Sequence, residues 1–191
     1  MIKELLHIKQ ILPKLVIQKM GTKEMESMYI DYHKPYVSRV WFKHENLRIF
    51  LHKIEPCNDA VEALYHPHKW DSAMEIIKGK YEMGIGHSST NDIPKTDCKL
   101  ILPAGTIYEM TEKDGWHYVN PIGEPCYTLM VTGPLNGREM PIEPSKPFRT
   151  LTETEIKDIL DICCLNDFNA KLDNVLKQTD ELIKKLNNHT N

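Results

Sequence analysis

The stretch "HPH" at residues 66–68 offers two imidazoles one residue apart. On an extended strand residues i and i+2 point the same way, so His66 and His68 project from one face. Two neutral imidazoles on one face chelate a divalent transition metal when a third ligand arrives from another strand. Pro67 between them cannot donate a ladder hydrogen bond, which places the pair at an edge or a bulge near the mouth of a barrel. The plainer alternative is two unrelated polar residues at a strand end. Nine histidines in 191 residues make one such pair unsurprising, so the pair takes its meaning from the elements around it.

Those elements are mostly strands. "YVSRVWFKH" and "LRIFLHKIEP" are rich in β-branched and aromatic residues and flank "HEN", which reads as a hairpin. From there to Pro134 the candidate strands are "ALYHPH", "SAMEII", "KYEMGIG", "CKLIL", "TIYEM", "WHYVN" and "CYTLMVT". The turns between them are chemically explicit: Lys78-Gly79, the polar loop "HSSTNDIPKTD", Pro103-Ala104-Gly105, Lys113-Asp114-Gly115 and Pro121-Ile122-Gly123. This density of short strands argues for a sandwich or a small barrel.

Both ends read as helical. "IKELLHIKQIL" brings Ile2, Leu5, Leu6 and Leu12 near one face, with Pro13 kinking or ending the helix. A second short helix is expected after Gly21, with Met25, Met28, Tyr29 and Tyr32 on one side. Beyond the Pro-rich connector "GPLNGREMPIEPSKPF", Thr152 and Glu155 form a capping box ahead of Ile156, Ile159, Leu160 and Cys163. Leu172, Val175, Leu176, Thr179, Leu182, Ile183 and Leu186 make a final amphipathic helix, expected to dock on its own barrel or to form the seam of a homodimer. The expected organisation is a helical segment over 1–34, a β-barrel over 35–150 and C-terminal helices over 151–191.

Composition bounds the function. The formal net charge is −3, and Lys and Arg do not cluster, which gives no footprint for nucleic acid or an anionic membrane. No apolar run approaches the roughly 20 residues that span a bilayer, and the charged N-terminus lacks the apolar core of a signal peptide. Five cysteines without a CxxC pair read as free thiols in a reducing, cytoplasmic setting. No GxSxG elbow, Walker loop, GxGxxG or zinc CxxC is present in the sequence.

The order HxH, apolar strand, Lys-Gly turn, strand, loop, strand, Pro-x-Gly turn and a lone strand histidine, His117 in "GWHYVNPIG", resembles the two-motif signature of the cupin superfamily over roughly residues 35 to 134. The resemblance implies a mainly β, single jelly-roll barrel with helical additions at both ends. It also implies that His66, His68 and His117 are metal ligands. The family's usual glutamate falls on Ser72, seven residues before Gly79. Glu75 is the nearest carboxylate, and on an unbroken strand its parity turns it away, so only a bulge would make it a fourth ligand. The long gap between Gly105 and His117 requires an additional β-excursion. A three-histidine set is similar to the cysteine-dioxygenase branch, and the "HPH", "YEMG" and "GWHYV" pattern is similar to a group of uncharacterised bacterial and phage cupins.

Three imidazoles leave open coordination positions, which a catalytic centre requires. The resemblance favours Fe(II), with Zn, Ni or Mn as alternatives. Arg48, Tyr81, Tyr108, Glu109 and Tyr118 are expected near the interior, Arg48 as an anchor for a substrate carboxylate, and His52 faces the same interior. Trp70 and Trp116 line the pocket or the core. The implied function is oxygen-dependent, dioxygenase-like chemistry on a small polar molecule. The alternative is a non-redox cupin, either a small-ligand binding module or an isomerase- or epimerase-like protein.

Overall fold

A computed structural model describes residues 1–59, 62–90, 92–135 and 147–165. A 20-residue helix, α1 (Ile2–Gly21), is followed by ten strands: β1 (Glu26–Ile30), β2 (Val37–His44), β3 (Leu47–Ile54), β4 (His66–Pro67), β5 (Trp70–Lys78), β6 (Lys80–His87), β7 (Cys98–Pro103), β8 (Ile107–Met110), β9 (Gly115–Pro121) and β10 (Cys126–Leu135). Helix α2 (Glu153–Leu160) then runs into a π-helical turn, Asp161–Leu165. The strands form two antiparallel sheets, in the orders β1-β2-β3-β10-β5-β8 and β4-β9-β6-β7. This is the mainly β, two-layer arrangement that the strand pattern predicts.

Strand parity divides the six-stranded sheet into two different faces. Val40, Phe42, Ile49, Leu51, Ala73, Leu129 and Val131 turn outward and pack against Leu5, Ile8, Leu12, Leu15 and Val16 of α1 and Ile159 and Leu160 of α2. Their neighbours turn inward, toward the four-stranded sheet: Arg39 and Trp41 on β2, Phe50 and His52 on β3, Met74 on β5, Met130 on β10. A leucine or isoleucine buried this completely stabilises the fold by about 1.5–3 kcal/mol.

The helices follow their sequence signals, with two corrections. The capping box of α2 is formed: Thr152 Oγ1 accepts from the Glu155 backbone N–H, and the Glu155 carboxylate accepts from the Thr152 N–H at 2.7 Å. Helix α1 runs through Pro13 to Gly21 because Leu12, Leu15 and Val16 are held on the sheet across the missing hydrogen bond. Its buried stripe is centred on Leu5, Ile8 and Leu12, and Leu6 faces solvent.

The expected second helix after Gly21 is instead β1, an edge strand pairing Glu26–Ile30 with Val37–Trp41. Met28, Tyr29 and Tyr32 fit a helical spacing, but pairing along β2 satisfies the backbone of this stretch, and Ile30 and Met28 join Val37 and Ile54 in the interior. The first 34 residues thus contribute a strand to the sheet as well as a helix. The final amphipathic segment, Leu172 to Leu186, and most of the Pro-rich connector lie outside the described residues.

Turn chemistry fixes the register that the site needs. Gly79, at φ +85°, makes the one-residue link between β5 and β6, and a Cβ there would meet the Pro125 carbonyl at 3.0 Å. The β-excursion between Gly105 and His117 is β8, which crosses to the six-stranded sheet and pairs with β5 before the chain returns in β9.

Candidate metal centre

His66 and His117 face one another across β4 and β9, as directly paired residues of an antiparallel ladder. Such pairs bring their Cβ atoms within about 5 Å on one face. His68 follows the two-residue edge strand and closes the group. The ring centroids lie 4.8 Å apart for His66–His117, 4.6 Å for His68–His117 and 5.7 Å for His66–His68. One nitrogen from each ring lies within 4.8 Å of the others, and this is the one such cluster of three potential ligands among the described residues. Three residues from two separate segments therefore lie together, the set that the resemblance to cupins implies.

Each ring is braced through Nδ1. His66 Nδ1–H donates to the Leu64 carbonyl at 3.0 Å, and His117 Nδ1–H donates to the Met83 thioether at 3.5 Å. Both acceptors lack a proton of their own, so both rings carry hydrogen on Nδ1 and a bare lone pair on Nε2. His68 Nδ1 lies 2.6 Å from Ser72 Oγ. Its Nε2 lies 2.8 Å from His117 Nε2.

That last contact is chemically specific. Two lone pairs at this distance repel, so a proton or a cation must lie between them. With the His117 proton fixed by Met83, a bridging proton sits on His68 Nε2, and Ser72 O–H donates into His68 Nδ1. With His66, His68 and His117 holding a metal ion through Nε2, His68 would carry its hydrogen on Nδ1 and donate it to Ser72 Oγ. A hydroxyl serves either tautomer because it both donates and accepts. The donor set thus fits a divalent transition metal: three imidazole nitrogens, each oriented from behind.

Burial keeps the His66 and His117 rings neutral. It pushes His66 down to about 4 and His117 well below the ordinary imidazole range, with the neighbouring imidazoles and, for His66, the Arg39 charge acting in the same direction. Neutral imidazole is the form that binds metal.

The remaining expected residues divide. Glu75 does not join the histidine cluster: β5 runs without a bulge at this point, and Glu75 turns to the outer face, where Lys9 Nζ meets its Oε1 at 2.5 Å. Ser72, on the inward parity, stands against His68 instead. Arg48 lines the cavity, with its guanidinium 5.5 Å from the Trp70 ring. Tyr81 and Tyr108 face inward but do not line the cavity; their hydroxyls share a 2.6 Å hydrogen bond beside Met74, and burial raises both phenols. Tyr118 and Trp116 lie on the far face of β9: Tyr118 O–H donates to Glu82 at 2.6 Å, and the Trp116 indole to the Ser88 carbonyl at 3.2 Å. Gly84 lets the Tyr118 ring lie against β6, since a Cβ there would sit 2.0 Å from the ring. Glu109 turns outward to the N-terminal ammonium, 3.4 Å away.

The three histidines open on a cavity of about 540 Å³ between the sheets. Its apolar walls include Ile30, Val37, Ile54, Leu64, Val119 and Met130, with Trp70 at the side. Sequence reasoning missed Arg39 and His33, which also line it. His52 is buried beneath Arg39: its Nδ1–H donates to Thr128 Oγ1 at 3.1 Å, and its Nε2 accepts from Arg39 Nε at 3.0 Å. Burial, the Arg39 charge and His68 hold it well below the ordinary imidazole range.

No protein-family model matches the chain, and no curated protein is significantly similar to it. Among solved structures it resembles the hydroxypropylphosphonic acid epoxidase from S. wedmorenis, at 13% identity and TM-score 0.43, over 56% of this chain and 55% of that one. The Fe(II) form of HppE with substrate gives 14% identity and TM-score 0.45, over 58% and 57%. The Co(II) form with Tris buffer gives 16% and 0.40, over 54% and 56%. The chain thus spans little more than half the length of these structures, and a likeness at this level carries no residue roles across. Among the described residues no helix is long and apolar enough to cross a membrane.

Proposed function

We propose that the chain is a mononuclear metal-dependent oxidoreductase of the cupin type, acting on a small polar molecule held between its two sheets. The observation that carries this reading is the convergence of three imidazoles at the cavity, with hydrogen-bond partners behind them that leave Nε2 to face a common point. His66, His68 and His117 would hold the ion. Fe(II) is preferred over Zn, Ni or Mn, because a carboxylate-free histidine set resembles the thiol-dioxygenase branch of cupins. When bound, the ion supplies Lewis-acid and redox chemistry toward oxygen and substrate.

The chain's own contributions are positional and electrostatic. Leu64 and Met83 fix the orientation and tautomer of His66 and His117, and Ser72 orients His68 in either tautomer, which holds the rings to the tolerance that chemistry requires. Burial, with the Arg39 charge at His66 and the neighbouring imidazoles at His117, keeps these two rings unprotonated at neutral pH. The apolar walls exclude bulk water from the reacting groups.

The test is oxygen uptake by the protein reconstituted with Fe(II) under anaerobic conditions, using a panel of small thiols and small organic acids. The proposal expects uptake that requires iron and disappears in His68→Ala. Ligand-induced thermal shifts with no oxygen uptake from any of the panel would instead favour a non-redox binding or isomerising role.

A further inference from the structure

We propose that the wall of the cavity formed by β2 and β3 is an anion site, in which Arg39, with Arg48 nearby, anchors a carboxylate or other oxyanion group of the small molecule that the histidines face. This deepens the functional reading by naming a substrate class, and it rests on that reading only for where the rest of the molecule goes.

The placement follows from register. Arg39 pairs with His52, Trp41 with Phe50 and Lys43 with Arg48 along the β2–β3 ladder. Inward parity brings Arg39, Arg48, Phe50 and His52 to the same side of the sheet. The Arg39 guanidinium lies 5.1 Å from the Phe50 ring centroid, and Arg48 lies 5.5 Å from Trp70. Phe50 and Trp70 are stacked on one another at 6.1 Å with an interplanar angle of 11°. One aromatic stack therefore carries a guanidinium at each end. His52, stacked on Phe50 at 6.0 Å and locked by Thr128, takes the Arg39 Nε–H bond and aims the side chain.

Nε is thereby satisfied, and the two Nη groups of Arg39 have no hydrogen-bond acceptor among the described residues. Neither Arg39, Arg48 nor Lys69 forms an ion pair with a described carboxylate. All three line the cavity, and no Asp or Glu among the described residues does. Positive charge partly removed from water without a counter-ion is costly. The burial that lowers Arg39 to about 10 leaves it charged at neutral pH. A planar oxyanion accepting from the guanidinium fork offsets that cost in a geometry that lysine does not reproduce. A cation would be repelled here, and a neutral ligand would leave the charge uncompensated.

Isothermal titration at low ionic strength tests this with three probes: propionate, methylphosphonate and the neutral propionamide. Each is titrated into the full chain as purified and after chelator treatment, with metal content measured in parallel. Binding of either anion, with propionamide at least about tenfold weaker, is expected; which anion binds tighter separates carboxylate from phosphonate chemistry. Arg39→Met should lose at least about tenfold, and Arg39→Lys should recover only part of it. Should Arg39→Met fail to fold, Arg39→Lys and Arg48→Met carry the same comparison. Equal binding of propionamide, no binding of either anion, or an unchanged affinity in folded Arg39→Met would overturn the proposal. Anion binding that depends on Arg39 in a chain that takes up no metal would leave this inference standing and remove the metal centre.

Discussion

Ser72 and Glu75 lie three residues apart on β5 and belong to different worlds. Ser72 faces inward and touches His68, whereas Glu75 faces outward and meets Lys9 of the N-terminal helix. The same division runs across the whole six-stranded sheet. Its outer face is a continuous aliphatic core under α1 and α2. Its inner face is aromatic and polar, carrying Phe50, Trp41, Met74, Met130, Arg39 and His52 along a cavity. Side-chain alternation lets one set of strands bury the aliphatic core on one face and present the proposed site on the other.

Substitutions on the two faces should therefore separate stability from metal binding. His117→Ala removes one of the three proposed ligands and should abolish stoichiometric metal uptake while leaving the circular dichroism of the sheets intact; elemental analysis of the folded variant checks this. Leu129→Ala, under the helices, should cost about 2–5 kcal/mol in denaturant unfolding. The fraction that remains folded should bind metal as the parent does. Ser72→Ala removes the hydroxyl behind His68 and should weaken metal affinity by about 10–100-fold in a chelator competition. Glu75→Met should leave metal content unchanged and should be neutral or stabilising by up to about 2 kcal/mol, because a well-packed apolar side chain avoids the desolvation of a buried carboxylate. A loss of metal in Glu75→Met would return that residue to the ligand set.

Acid separates the faces as well. His66 titrates at about 4 when folded, below the ordinary imidazole value near 6.5. Between those values the unfolded chain binds more protons than the folded one, so stability rises with pH through the window and is fully present above about 6.5. His52 and His117 shift in the same direction. Chelator-treated protein should lose stability as pH falls from about 6.5 toward 4, and the loss should be smaller in His66→Asn. Thermal melts across that range measure it.

Much of this arrangement was legible in the sequence. Period-two patterning and explicit turns located β2, β3 and β5 to β10 within a few residues, and the resemblance of the HPH, Gly79 and His117 order to the cupin signature pointed to the three histidines that cluster. The parity of Glu75 predicted its outward turn. Arg39 was hidden for a physical reason: "VSRVWF" has large apolar residues on both parities because β2 is covered on both faces, so alternation could not choose a side. Strand β1 was hidden because its pairing with β2 is a tertiary fact, while its Met and Tyr residues happen to fit a helical spacing. Tyr118, next to His117 on one strand, had to face the other way, and parity alone would have shown it.

The central claim is that three imidazoles share one ion. X-ray absorption on protein loaded with one equivalent of Fe(II) tests it directly. The account predicts three histidine nitrogens at about 2.0–2.2 Å, with the imidazole scattering reduced in His68→Ala. A spectrum without imidazole ligation, or one unchanged in His68→Ala, would contradict it.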